Sequence, residues 1–138
     1  MKKIFFTLIP ALALVCLITS CNKDDDNNNT NNSTVQGTWT GTGQYGTSGG
    51  NPTYVFTLNF KANGTVDIVG DNTVGIDNAT GTWAMVGDSV KATYTYINAT
   101  AQYTLAGKYT AGSNTMVGTI GLGTATAGVG LFSVTRTN

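Results

Sequence analysis

Residues 80–110 read TGTWAMVGDSVKATYTYINATAQYTLAGKYT, and the architecture of the domain can be inferred from them. Polar and apolar side chains alternate along this stretch, which is typical of β-strands with one face in a core. Tight-turn and loop residues interrupt the alternation at Gly87-Asp88 and at Asn98-Ala99-Thr100. Because links this short cannot cross a sheet, they predict three consecutive antiparallel strands.

The same alternation continues on both sides and predicts eight strands within residues 36–138, without a helical period. We expect the strands at 36–45, 53–62, 65–70, 80–87, 89–97, 101–110, 115–122 and 129–137. Among the links, only 71–79 is long enough to hold a further short strand. Eight such strands form either a closed up-and-down barrel or a sandwich. The all-β barrel is favoured, because closure leaves no strand edge exposed.

Three lysines indicate which face of each strand points inward. Lys61, Lys91 and Lys108 should reach water, so their immediate strand neighbours point into the core. This parity places all six tyrosines on the interior face. The predicted interior residues are Trp39, Tyr45, Tyr54, Phe56, Leu58, Phe60, Val66, Ile68, Trp83, Met85, Val90, Ala92, Tyr94, Tyr96, Tyr103, Leu105, Tyr109, Met116, Ile120, Leu122, Phe132 and Val134.

The interior tyrosines give the main indication of function, because a buried phenol needs a hydrogen-bond partner. Either they pair within a filled core, or they line a cavity for a ligand; an eight-stranded barrel is wide enough for one small ligand. Inward-phase glycines would leave room for that ligand or would serve only to bend the strands: Gly37, Gly41, Gly43, Gly81, Gly107 and Gly118. The candidate ligand-binding residues are Tyr54, Phe56, Tyr94, Tyr96, Tyr103 and Tyr109.

Gly37-Thr38-Trp39 opens the first predicted strand, and Gly81-Thr82-Trp83 opens the fourth. Together with Arg136 in the inward phase of the last strand, this pattern resembles the calycin superfamily, most closely the small lipocalin-like domains of bacterial lipoproteins. In that superfamily the tryptophan of G-x-W lies across one end of the barrel, and a late arginine or lysine packs over its indole. The resemblance implies that Gly37, Trp39 and Arg136 close the barrel through a cation–π contact. It also implies a small apolar or aromatic ligand inside.

Three features depart from that superfamily. The domain is shorter than a typical lipocalin, no helix is predicted after the last strand, and the domain has no cysteine for the usual disulfide. Shorter strands and a smaller cavity are therefore expected. The polar and tryptophan ligands of an avidin-like biotin site have no counterpart that we can place in this sequence.

The N-terminal residues have a different character. Met1-Lys2-Lys3 precedes an apolar run at 4–18, which has the length of an export signal rather than of a membrane anchor. Ile18-Thr19-Ser20-Cys21 then resembles the lipobox of bacterial lipoproteins, in which the cysteine takes up diacylglycerol. The resemblance implies a signal peptide at 1–20, lipidation such as palmitate at Cys21, and a membrane as partner. The alternative is an ordinary secretory signal. Cys16 is a poorer candidate, because Leu14-Val15 before it is bulkier than Thr19-Ser20.

Residues 21–35 hold the expected lipidated cysteine and an Asp/Asn-rich tether with a single apolar residue, Val35. Such a composition predicts disorder. A flexible coil of about 14 residues would hold the domain on the order of 20 Å from the membrane. Asp24-Asp25-Asp26 is either a solvated linker or resembles the acidic signal that exports lipoproteins to the cell surface. We therefore expect a lipid-anchored protein of the bacterial envelope, at the outer membrane.

Composition argues against catalysis and metal binding. The chain has no histidine and no glutamate, and the expected mature domain has no thiol. The four domain aspartates lie in turns or in the outward phase, so no pair is predicted to converge as a catalytic site: Asp67, Asp71, Asp77 and Asp88. We expect no catalytic residue, no metal and no cofactor. Nucleic acid is not an expected partner, because the four domain cations form no basic stripe.

Two classes of function remain. The first is a binding protein that holds a small apolar or aromatic molecule inside the barrel. The second is a filled structural barrel on the cell envelope, which contacts a protein or glycan through its loops or outer face. An open interior of a few hundred Å³ separates the first class from the second. The sequence indicates neither the ligand nor the oligomeric state.

Overall fold

The computed structural model describes residues 35–70 and 78–137, and within them the protein is all-β. The strands are β1 (Gly37–Tyr45), β2 (Thr53–Phe60), β3 (Thr65–Val69), β4 (Asn78–Val86), β5 (Ser89–Tyr96), β6 (Gln102–Lys108), β7 (Thr115–Leu122) and β8 (Gly128–Arg136). The predicted strand bounds are confirmed to within two residues. In the part of the chain described, no helix is long and apolar enough to cross a membrane.

Consecutive strands pair antiparallel, and β8 returns to pair with β1, which closes the barrel. This confirms the eight-stranded antiparallel up-and-down barrel predicted from the sequence. This order follows from the short connections, because a short link can only place a strand beside the strand that precedes it. The register of β7 and β8 shifts between Ile120 and Gly121, where a β-bulge alters the pairing.

The two ends of the barrel are built from different residues. We call the end at which β1 begins the closed end; it also holds the β2–β3, β4–β5 and β6–β7 hairpins. The opposite end, which we call the open end, holds the β1–β2, β3–β4, β5–β6 and β7–β8 connections. Since strand direction alternates, the first residues of an odd-numbered strand and the last residues of an even-numbered strand meet at the closed end.

Apolar side chains from all eight strands fill the interior between the two ends. Each fully buried large side chain contributes about 1.5–3 kcal/mol of transfer free energy, and these contributions hold the barrel together. The buried apolar residues are Val35, Trp39, Phe56, Leu58, Phe60, Val66, Ile68, Ala79, Trp83, Val90, Ala92, Tyr94, Leu105, Tyr109, Met116, Ile120, Phe132 and Val134.

The closed end is sealed around Trp39, which is fully buried. The indole Nε1 donates a hydrogen bond of 2.9 Å to the carbonyl of Val35, and the guanidinium carbon of Arg136 lies 4.6 Å from the ring centroid. Arg136 also donates a 2.9 Å hydrogen bond to the carbonyl of Gln36. Gly37 turns the chain into β1 at a φ of 121°, which side chains rarely tolerate.

Val35 lies in the folded domain rather than in the tether to which its composition assigns it. Its side chain is 0% exposed and packs in the core cluster beside Trp39. The sequence around a single valine after a polar run does not predict that it is buried. Its burial depends on the space at the closed end of the folded barrel.

The inward parity is confirmed for the core, and Lys61, Lys91 and Lys108 are exposed as expected. Two predicted interior residues are corrected: Tyr45 is 60% exposed and Leu122 is 53% exposed. Both have the inward parity but stand at the last position of their strands, at the open end. The alternation along a strand predicts the direction of a side chain. Burial of that side chain also requires other residues packed opposite it.

The inward glycines mainly allow neighbouring strands to approach closely. A Cβ built at Gly41 would collide with the carbonyl oxygen of Ser133, and one at Gly81 would collide with that of Thr93. Gly118 is restricted in the same way by a carbonyl of β6. The sequence left open either room for a ligand or bending of the strands, whereas at these positions glycine allows a neighbouring backbone to approach closely.

Side chains already occupy the space above two other inward glycines. The Tyr54 ring lies over Gly43, whereas Phe132 and Met116 lie over Gly107. Glycine thus makes room in this barrel, but the room is taken by the protein's own side chains.

We predict that Gly81→Ala destabilises the barrel, because the added Cβ would also lie 2.7 Å from the Cα of Tyr94. The expected loss is about 1–3 kcal/mol of unfolding free energy, measured by chemical denaturation. Gly49→Ala is the matched control, since nothing lies within 4 Å of a Cβ at that position. A loss for Gly81→Ala no larger than for the control would contradict the close-approach role.

Candidate functional site

A cavity of about 270 Å³ opens at the open end of the barrel. We call it the mouth pocket. Its lining comes from the ends of strands that meet at this end of the barrel, and it consists of tyrosine, small aliphatic and amide side chains with glycine backbone. The lining residues are Gln44, Tyr45, Tyr54, Gly70, Tyr96, Tyr103, Ile120, Val129 and Gly130.

Strand direction explains why tyrosines gather at the mouth. Tyr45 ends β1 and Tyr54 stands near the start of β2, while Tyr96 ends β5 and Tyr103 follows the start of β6. These four inward positions therefore belong to two hairpins that both turn at the open end. The rings of Tyr45 and Tyr54 contact each other with centroids 4.7 Å apart.

Tyr94, Tyr96 and Tyr103 form a second group, which we call the tyrosine cluster. Tyr94 stacks on Tyr103 with centroids 5.7 Å apart, because the two residues are directly paired across β5 and β6. Tyr96 meets both rings edge-on, at 5.6 Å from Tyr94 and 5.3 Å from Tyr103. Such contacts hold the rings in defined orientations. The cluster therefore presents fixed surfaces to the pocket.

Two buried side-chain polar atoms lack a hydrogen-bond partner among the described residues: Asn78 Oδ1, at the start of β4, and the hydroxyl of Tyr94. Tyr94 is only 1% exposed, and its hydroxyl makes no hydrogen bond of ordinary geometry within the described residues. Burial raises the pKa of Tyr94 well above the ordinary tyrosine value, and the nearby phenols of Tyr96, Tyr54 and Tyr103 raise it further. A contact with the Tyr96 hydroxyl, outside ordinary hydrogen-bond geometry, acts on the pKa in the same direction. Tyr94 itself does not line the pocket, but its ring packs against Tyr96 and Tyr103, which do. Tyr94 therefore lies beneath the pocket lining.

Charge is distributed unevenly between the two ends. The described lining of the mouth pocket carries no charged side chain. Lys61 bonds to Asp67 at 2.6 Å and Lys108 lies 3.5 Å from Asp88, and both pairs stand on the exposed surface toward the closed end. Lys91 and Arg136 also lie toward that end, so the described part of the mouth is uncharged.

The structure brings together part of the predicted ligand set. Tyr54, Tyr96 and Tyr103 line the mouth pocket, and Tyr94 lies beneath it. Phe56 lies deeper and is buried, packed between the rings of Tyr54 and Phe132 at 5.8 and 5.9 Å. It belongs to the filled core rather than to the pocket surface.

Tyr109 is corrected as a candidate ligand residue. It follows the closed end of β6 and meets the Trp39 ring edge-on at 6.0 Å. Tyr103 and Tyr109 have the same parity, but six residues of strand carry them to opposite ends of the barrel. Parity alone could not distinguish the two positions, whereas the predicted direction of the strand could.

Two residues of the pocket were not expected from parity. Ile120 pairs with Gly130, and Gly121 pairs with Gly128. Val129 is therefore the unpaired residue of the β8 bulge, and the bulge accounts for its place at the pocket. Gln44 donates a 2.8 Å hydrogen bond to the carbonyl of Ser48, which holds its side chain at the rim. The flanking glycines in Gly128-Val129-Gly130 were the available signal of a bulge.

Several sequence-level predictions lie outside the described residues. These are the signal peptide at 1–20, lipidation at Cys21, the tether before Val35, and the aspartates at 24–26, 71 and 77. Within the described ranges, no group of three acidic or sulfur ligands that could hold a metal ion occurs.

Comparison with known proteins gives no family: no family model matches the chain, and no curated protein matches it significantly.

We predict that stability falls above about pH 10 and that Tyr94 contributes to the fall. The folded state retains the Tyr94 proton at a pH at which the unfolded chain releases it, so rising pH favours unfolding. The stabilising contribution is complete below about pH 10. Above that value the slope from this residue approaches about 1.4 kcal/mol per pH unit.

Denaturation of the wild type and of Tyr94→Phe between pH 8 and pH 11.5 measures this contribution. The variant should have the shallower alkaline slope, because it has no phenol to ionise at this position. Equal slopes for the two proteins would contradict the prediction.

Proposed function

We propose that this protein is a lipid-anchored, lipocalin-like binding protein of the bacterial envelope, and that it holds a small apolar or aromatic molecule in the mouth pocket. The observation that carries the proposal is the tyrosine-lined cavity of about 270 Å³, whose described lining has no charged side chain, above the Tyr94 hydroxyl, which makes no ordinary hydrogen bond. A concave site with a mainly apolar lining and a few placed polar groups is the usual form of a small-molecule site.

The size of the pocket restricts the ligand to one or two rings. An apolar cavity of about 150 Å³ is large enough to bind benzene, and sites for drug-sized molecules begin at about 300 Å³. The mouth pocket lies between these values. Below it, buried side chains fill the barrel, so a long acyl chain would find no channel toward Phe56 and Phe132.

Aromatic chemistry of the ligand is supported by the rings at the mouth. Tyr45 and Tyr54 lie on one side of the pocket, and Tyr96 and Tyr103 come from the other hairpin. Rings at steep angles to each other, such as those of Tyr96 and Tyr103, offer both a face and an edge to a bound ring. A flat ligand can therefore make stacked and edge contacts at once.

The closed end supports the lipocalin-like assignment. The contact of Arg136 with the Trp39 ring, at 4.6 Å, has the residue types and the strand positions of the superfamily pattern. The tryptophan on β1 and the arginine on β8 of a closed eight-stranded barrel together support the lipocalin-like assignment more strongly than either residue alone.

The proposed anchor and the pocket would lie at opposite ends of the domain. The chain enters the barrel at Val35, at the closed end, so a lipid on Cys21 would draw that end toward the membrane. The mouth pocket would then face away from the bilayer. A ligand would reach it from the aqueous side.

Binding rather than catalysis is supported by the roles of the described aspartates. Asp67 and Asp88 each lie beside a lysine on the outer surface. Neither lines the mouth pocket. The pocket therefore offers tyrosine hydroxyls and an amide, which suit recognition of a ligand.

We predict that Val129→Trp abolishes ligand binding, because the larger side chain would fill the mouth pocket. Native mass spectrometry of the full-length protein, purified gently from its own host, should detect a non-covalent adduct on the wild type. The affinity for the ligand should fall at least about tenfold in the variant, which corresponds to a loss of about 1.4 kcal/mol or more of binding free energy, and the adduct should weaken accordingly. Val117→Trp is the control, since Val117 is exposed on the outer wall.

Equal adducts on the two tryptophan variants would place the ligand elsewhere and contradict the proposed site. An adduct-free wild type that also binds no member of a small-molecule panel would favour the alternative, a filled barrel that contacts a protein or glycan through its surface.

We predict that Cys21→Ser releases the protein from the membrane fraction and removes its label after growth with radioactive palmitate. The reason is that lipid attachment requires the thiol at this position. Cys16→Ser is the control and should keep both the label and the membrane location. Retained label in the Cys21→Ser protein, or its loss in the control, would contradict lipidation at Cys21.

A further inference from the structure

We propose that the ligand of the mouth pocket is an uncharged aromatic ring that carries a hydrogen-bond acceptor, and that the acceptor receives a hydrogen bond from Tyr94. The inference rests on the proposed binding function and adds the chemical class of the ligand. It assigns to Tyr94, which lies beneath the pocket lining, a polar contact that the ligand makes by taking the place of the Tyr96 hydroxyl beside it.

The first argument is the unsatisfied hydroxyl itself. A buried donor without a partner destabilises a folded protein, and phenylalanine at the same position would avoid that cost. Phenylalanine occurs nearby at Phe56 and Phe132 in the same core. A phenol without an ordinary hydrogen bond at Tyr94 is therefore costly in the empty barrel, and a ligand acceptor would replace its irregular contact with Tyr96 by a well-formed bond.

The second argument is the direction of the Tyr94 side chain. Its ring is held between Tyr103, stacked at 5.7 Å, and Tyr96, edge-on at 5.6 Å. The side chain therefore lies in the interior, directly against two tyrosines that line the pocket.

The third argument concerns charge. The described lining contains five side-chain polar groups, four phenols and the Gln44 amide, but no cation and no anion. A charged ligand group would lose its hydration without gaining a counter-ion, which is costly. An uncharged acceptor such as a carbonyl oxygen loses less hydration and matches a phenolic donor.

A ring without an acceptor would leave the Tyr94 hydroxyl without an ordinary hydrogen bond. Such a ligand would gain the ring contacts but would forgo the hydrogen bond. We therefore expect a preference for the acceptor-bearing member of any pair of equal shape, of roughly 3- to 10-fold in affinity.

The test is titration calorimetry of the full-length protein with two probes of nearly equal shape, acetophenone and α-methylstyrene. Acetophenone carries a carbonyl oxygen where α-methylstyrene carries a methylene group. Acetophenone should bind the wild type roughly 3- to 10-fold more tightly, and Tyr94→Phe should remove this difference. Tyr109→Phe is the control, because Tyr109 packs at the closed end, and it should keep the preference.

Benzoate and benzylammonium extend the test to charge, and both should bind more weakly than acetophenone. Equal affinity of the wild type for the first two probes would overturn the inference, as would a preference that survives in Tyr94→Phe or a charged probe that binds most tightly. In each of these results binding itself persists, so the proposed function stands. No binding of any probe, together with no adduct on the protein from its host, would overturn the proposed function and the inference with it.

Discussion

The pairing of β1 with β8 is the interaction on which the rest of the structure depends. It gives every strand two neighbours and joins Trp39 to Arg136 across the seam. The approach of Gly41 to the Ser133 carbonyl lies in the same seam. Closure also limits the interior, since eight strands enclose little more than the volume of their own inward side chains. Any space for a ligand must therefore come from an end of the barrel.

That limit explains the contrast between the ends. At the closed end, Trp39 and Val35 fill the opening and backbone carbonyls satisfy the polar atoms of Trp39 and Arg136. At the open end, no described residue plugs the barrel above the inward tyrosines, and the buried hydroxyl of Tyr94 makes no ordinary hydrogen bond within the described residues. The same residue type thus packs beside Trp39, at Tyr109, and lines the mouth pocket.

The strands, their order and the inward parity could be predicted from the sequence, because a period of two and short links are local properties. The sites at the ends could not. Tyr45 and Leu122 share the parity of the core yet are exposed, since no wall stands opposite their final strand positions. Val35 is buried although its neighbours in sequence are polar, because the barrel offers it an opening. The position of Val129 depends on a bulge that alternation does not reveal.

Separation of the two ends would let the stability of the seal and the shape of the mouth pocket vary independently. The cation–π contact and the described charged side chains lie toward the closed end. Substitutions in the described loops of the open end would therefore change the mouth pocket while leaving the seal around Trp39 intact. Tyr94 contributes to both the core and the pocket region, because its ring packs in the core and its hydroxyl lies under the pocket. A phenol retained at that position costs the empty barrel stability, and a ligand that accepts its hydrogen bond would recover it.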